Sequence, residues 1–210
     1  MALKPDEMDF ISNFSTLWQV FLGAILATLG GFGATQAEWF IERRRRERDA
    51  AVFFGELLST LKLLLNIADS SKQRGDPYGQ ITLRFLRSAV KEADIYTRNR
   101  ESLFDLRDSK LRARIHTLVL RIVMPADGVF DTSDEIAKVR AKLKEPGISK
   151  DEREELEGRL VNLHEAREGS YEALMDAAAQ LKGLVRELEP IAGNTYEHLD
   201  SVPPVASSEA

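Results

Sequence analysis

The stretch FISNFSTLWQVFLGAILATLGGFGATQA, from Phe10 to Ala37, contains no charged residue, and Arg43-Arg44-Arg45-Arg46 follows six positions later. An uncharged run of this length is what one helical crossing of a bilayer requires, because the hydrocarbon core is about 30 Å thick. Trp18 and Trp39 stand 21 positions apart. At about 1.5 Å per residue that separation is roughly 31 Å, so the two rings bracket one crossing at the depth tryptophan favours. The span is expected over residues 16–40, with Trp18, Trp39, Arg43, Arg44, Arg45 and Arg46 at its interfaces.

Flanking charge orients the span. Lys4, Asp6, Glu7 and Asp9 precede it, and five arginines lie between Arg43 and Arg48. An Arg excess holds its own side in the cytoplasm, which puts residues 1–15 outside and the remainder inside, at the inner (plasma) membrane. A cleaved signal peptide fits poorly. The amino-terminal region is net acidic, Thr35-Gln36-Ala37 is a poor cleavage site, and the arginines oppose export. Inside the span, Gly23, Ala27, Gly30 and Ala34 recur at steps of four, three and four. They form a face of small residues on which a neighbouring helix can pack.

The rest of the chain reads as all-helical. Cysteine is absent, which excludes disulfides, thiolate metal sites and a cysteine nucleophile. Val/Ile/Thr alternation is nearly absent, whereas apolar residues recur at helical spacing. The first helix is expected to continue unbroken through Glu38–Asp69, with Phe54, Leu58, Leu61, Leu65 and Ala68 on one face and Phe53, Leu57 and Leu64 widening it. Ser70–Gly79 reads as a loop. A second helix is expected over 81–96 (Leu86, Val90, Ala93 and Tyr96 inward), a short piece at 103–106, and a third helix over 109–124 (Leu111, Ile115, Leu118, Ile122).

Pro125-Ala126-Asp127-Gly128 reads as a breaker, and Thr132-Ser133-Asp134-Glu135 as a capping box opening a new helix. That helix carries Ile136, Val139 and Leu143 and stops at Pro146-Gly147. Ser149-Lys150-Asp151-Glu152 is a second capping box. The helix it opens bears Leu156, Leu160, Leu163, Leu174, Ala177, Leu181, Leu184 and Leu188, with Arg167 and Ser170 interrupting the seam, and ends at Pro190. Residues 132–167 are expected to form a projecting, charged, antiparallel coiled-coil-like hairpin arm. The cytoplasmic helical domain spans 41–200, and 201–210 reads as a disordered tail.

Catalytic signals are missing. His116, His164 and His198 fall on separate segments without ligand spacing, and no phosphate loop, dinucleotide fingerprint or nucleophile elbow occurs. Neither a metal nor a cofactor is expected. Charge is uneven: Ile81–Arg121 holds ten basic and five acidic residues, Asp127–Ala210 ten and nineteen. Arg107, Arg114 and Arg121 share one helical face as a possible anion-binding stripe. The competing reading pairs them with the acidic hairpin of the same chain. No aromatic interleaving points to nucleic acid, so no specific nucleic-acid partner is expected.

The chain therefore reads as a single-pass, membrane-anchored helical interaction protein, without catalysis: a scaffold, sensor or signalling adaptor. Its expected partners are the lipid bilayer, further copies of itself and an unidentified protein. The alternative is a membrane-perturbing oligomeric effector of a holin-like or defence type. A membrane-bound enzyme comes third.

Overall fold

A computed structural model describes residues 5–196, and among them every regular element is helical. Four α-helices follow one another: α1 Pro5–Gln73, α2 Gln80–Arg98, α3 Ser109–Lys142 and α4 Lys150–Ala192, with a 3-10 helix, Arg100–Asp105, between α2 and α3. The chain divides into two units, up to Arg45 and from Arg46 onward, and α1 runs through both. Residues 1–4 of the expected outer segment, and the expected tail 201–210, lie outside the described residues.

In the first unit the described large apolar side chains of α1 face outward. Trp18, Phe21, Leu22, Ile25, Leu26, Phe32, Trp39, Phe40 and Ile41 are all exposed. Its hydroxyls turn back on the helix, Thr28 Oγ1 donating to Ala24 O (2.8 Å) and Thr35 Oγ1 to Gly31 O (3.0 Å). A helix whose polar groups are satisfied internally while its apolar side chains face outward suits an apolar solvent. It is long and apolar enough to cross a membrane.

The second unit is a bundle in which neighbouring helices run antiparallel. Arg48 Nε donates to Ala192 O (3.0 Å) at one end of the α1–α4 pair, and Tyr171 Oη to Asp69 Oδ1 (3.0 Å) at the other. Tyr96 of α2 returns to Phe54 of α1, ring centroids 6.0 Å apart, and reaches His116 Nδ1 of α3 at 2.9 Å. The expected inward residues of α1 and α2 are in place. Phe54, Leu58, Leu61, Leu65, Ala68, Leu86, Ala93 and Tyr96 are buried, and Val90 packs partly buried against them. Each fully buried aliphatic or aromatic side chain stabilises the fold by about 1.5–3 kcal/mol before entropy is counted.

Three boundaries correct the sequence expectation. First, α1 extends to Gln73, into the expected loop, because the turn itself starts later. Thr82 N donates to Asp76 Oδ2 (2.8 Å) and Thr82 Oγ1 to Asp76 O (2.7 Å), closing the turn around Gly79, where any Cβ would collide with the Asp76 carboxylate. Second, Pro125 does not end α3, and the Thr132 capping box does not form. Instead Thr132 Oγ1 donates to Gly128 O (2.6 Å) inside a continuous helix. An interior proline costs about 3 kcal/mol. Ile122, Ala126 and Val129 on either side are buried in the core, and their burial outweighs that cost. Third, α4 passes Pro190 and ends at Ala192, capped by Gly193 at φ 70°, whose N–H donates to Glu189 O (2.8 Å).

The antiparallel hairpin expected over 132–167 is formed by the outer stretch of one long α3–α4 pair. Lys142 pairs with Glu152 (2.8 Å) and Arg159 with Glu135 across it. Ser149 Oγ accepts from Glu152 N (3.2 Å), as the second capping box requires. Ile136, Val139 and Leu156 are buried there, outside the main core cluster. Ser170, read as an interruption of the seam, faces Gly128: a Cβ on Gly128 would meet its Oγ at 2.9 Å. The pair closes up where both residues are small.

Candidate functional site

Three regions carry chemistry. The first is the apolar half of α1 with its arginines. Trp18 and Trp39 are exposed, and Trp18 stacks edge-on against Phe21 (5.8 Å). The Arg43 guanidinium lies over the Trp39 ring at 5.1 Å and that of Arg44 over Phe40 at 4.9 Å. Arg45 and Arg46 are exposed on the same helix. Cations stacked on these rings join an apolar body to a charged rim. On the small-residue face, Gly23 and Gly30 have open space where a Cβ would stand, and Ala27 is exposed. Ala34 lies in the helix, but its side chain falls outside the described residues.

The second region is the basic stripe. Arg107 pairs with Glu47 (3.0 Å), Arg114 with Glu187 (2.6 Å), and Arg121 Nη1 donates to Gln180 Oε1 (3.2 Å). The partners belong to α1 and α4 outside residues 132–167, so the expected pairing with the acidic hairpin is replaced by pairing with adjacent helices. The reason is register: antiparallel packing sets Arg114 and Arg121 opposite the last turns of α4. Between the two helices the small residues Ala113, Thr117, Ala179 and Gly183 leave a groove of about 530 Å³, with Arg114 and Arg121 beside it.

The third region was not foreseen as a unit. It gathers the end of α1, the α1–α2 turn and the middle of α4. Lys72 Nζ binds Glu168 Oε2 (2.7 Å) and lies 3.9 Å from the Tyr171 ring centre, and the Arg167 guanidinium lies 3.9 Å from that of Tyr78. The two tyrosine rings meet edge to face at 5.6 Å. Tyr78 has φ 58°, a left-handed conformation unusual for an aromatic residue. Burial, then the Glu168 carboxylate close to its hydroxyl, pushes its pKa up.

Burial, then Asp69, raises Tyr171 in the same way. Burial also works against the charge of Glu168, but Lys72 and Tyr78 outweigh it and hold the carboxyl below its usual value. His164 lies between the guanidinium donors of Arg140 (3.3 Å) and Arg167 (3.0 Å) and accepts through its unprotonated ring nitrogen, and burial together with those two cations lowers its pKa. Two tyrosines held protonated and one acid held charged make a polar lock, not an acid–base pair poised near neutrality. Only the seam interruption at Arg167 and Ser170 hinted at it in the sequence.

His116 is accounted for by Tyr96, and His198 lies outside the described residues. No group of three or more His, Asp or Glu able to hold a metal occurs among the described residues. No protein-family model, curated protein or solved structure matches this chain.

Proposed function

We propose that this protein is a membrane-anchored helical interaction module, a scaffold or signalling adaptor. In this reading it crosses the inner (plasma) membrane once, holds its bundle in the cytoplasm and self-associates through the Gly23–Ala27–Gly30–Ala34 face. The observation that carries the reading is the contrast within α1. Its described large apolar side chains up to Ile41 are exposed, while those from Ala50 onward are buried or partly buried in the bundle. The first set needs a partner the bundle does not supply, and a bilayer supplies it.

A cytoplasm-only reporter fused after Ala210 should be active, and a periplasm-only reporter silent. The opposite result overturns the orientation. Purification of the full chain in mild detergent should bring down a discrete protein partner. Growth arrest on overexpression that disappears with substitutions in the span would replace the adaptor by a membrane-perturbing effector.

A further inference from the structure

We infer that the segment joining α2 to α3, centred on Phe104, is a second membrane contact that rests on an anionic headgroup surface. The inference builds on the membrane reading above and adds a surface to it. Phe104 is the most exposed large apolar side chain among the described residues, at 72%, although Leu103 and Leu106 on either side are buried. The 3-10 helix sinks its two leucines into the bundle and turns the phenylalanine out. Arg98, Arg100 and Lys110 are exposed around it, and the Arg112 guanidinium lies 5.9 Å from its ring centre.

Glu101 and Asp105 within the segment are exposed, while the acids packed around it are engaged. Glu47 holds Arg107, Glu187 holds Arg114, Glu189 accepts from Tyr196 N, and Asp108 caps α3. Across Arg98–Arg112 the chain carries five basic and three acidic residues. An exposed aromatic ring in a basic surround matches an anionic lipid surface, where the ring enters the interface and the cations meet phosphates.

The segment is held to the bundle's own stretch of α1: Arg107 N donates to Glu47 Oε1 (3.1 Å), in addition to the side-chain pair.

The absence of cysteine allows a direct test. Full-length protein in nanodiscs carries a fluorophore at Thr97→Cys, at Val161→Cys on the outer stretch of α4, or at Leu26→Cys within the span. Lipids bearing a nitroxide at the headgroup, and others bearing one in the acyl chain, serve as quenchers. The Thr97 label should be quenched by headgroup nitroxides in anionic discs, well above the Val161 label, with the difference lost near 1 M salt. Replacing Arg98, Arg100 and Lys110 with Gln should lower the docked-to-free ratio by up to about fivefold per charge at low salt. Phe104→Ser should lower it further at every salt concentration.

Equal quenching at Thr97 and Val161, with Leu26 quenched by acyl-chain nitroxides, overturns the docking and leaves the anchor standing. A Leu26 label unquenched in the same discs overturns the anchor and the docking together. Quenching at Thr97 that is indifferent to lipid charge and to both sets of substitutions also overturns it.

Discussion

The two halves of α1 are similar in apolar content and opposite in fate. Leu26 is 63% exposed, while Leu58, further along the same helix, is fully buried. Leu58 belongs to the core cluster to which α2, α3 and α4 also contribute. In the first unit a Cβ added at Gly23, Gly30, Gly31 or Gly33 would meet nothing within 4 Å. Apolar periodicity alone states that a helix must be covered. Whether protein or lipid covers it is decided by what the rest of the chain can bring alongside.

The largest expected effect sharpens that contrast through paired truncations. Leu58→Ala should destabilise the bundle by about 2–5 kcal/mol, through lost transfer energy plus a residual cavity. Leu26→Ala should leave bundle stability within about 0.5 kcal/mol. Urea unfolding of the full chain in detergent, followed by circular dichroism, measures both. Equal losses would mean that both halves share one core, and the comparison would collapse.

Next in size is Leu26→Arg, which should penalise membrane insertion by about 2.5–3.5 kcal/mol if the residue lies near mid-bilayer. Fractionation should show protein shifting from membrane to soluble fractions while the bundle's unfolding midpoint holds. Unchanged membrane recovery would break the assignment of this half to lipid.

Glycine substitutions separate the halves more finely. A Cβ at Gly55 would run into the Tyr196 ring, which is itself anchored through Oη to Val52 O at 3.3 Å. Gly55→Ala should therefore cost about 1–3 kcal/mol as the ring is displaced. Gly30→Ala meets nothing within 4 Å and should not move the unfolding midpoint. The bulkier Gly30→Leu should weaken association in detergent if a second copy packs on that face. Ile25→Leu should not, and equal oligomer distributions for the two variants would reject the face.

The smallest effect is a pH dependence confined to the bundle. Backbone N–H groups of Leu111 and Lys110 hold the Asp108 carboxyl below its usual value. Because the folded state binds that proton less readily than the unfolded chain, the contribution is present above the ordinary Asp range. It is lost as pH falls through the depressed value. Asp108→Asn keeps a cap acceptor and removes the titration. Its unfolding midpoints should match those of the parent near neutrality and fall less steeply below about pH 4, the unperturbed Asp region. An unchanged acid limb would show that Asp108 does not contribute to it.

Much of this architecture is legible in the chain, and the errors have a common origin. The uncharged run, the arginine cluster, the inward faces of α1 and α2, and the Ser149 cap follow from period, charge and local hydrogen bonding, which act within a few residues. Pro125 was misread because a local rule met a long-range one. The Ile122–Ala126–Val129 face is buried against other helices, and that burial holds α3 continuous across the proline. The partners of Arg114 and Arg121 were misplaced because a charge on one helix face has no partner until helix order and register are set. The Lys72–Tyr78–Arg167–Tyr171 lock was invisible for the same reason, its members lying roughly a hundred residues apart in sequence.

By itself, then, the sequence determined what depends on short separations: an uncharged helix with an arginine rim, an all-helical remainder and two of its strongest stops. Only the tertiary structure decided which apolar half of α1 the protein covers itself, which arginines are neutralised and by whom, and that Phe104 is turned outward between two buried leucines. Those outcomes rest on burial and pairing between distant segments. Their energies are summed over the assembled bundle and cannot be read from any window of neighbouring residues.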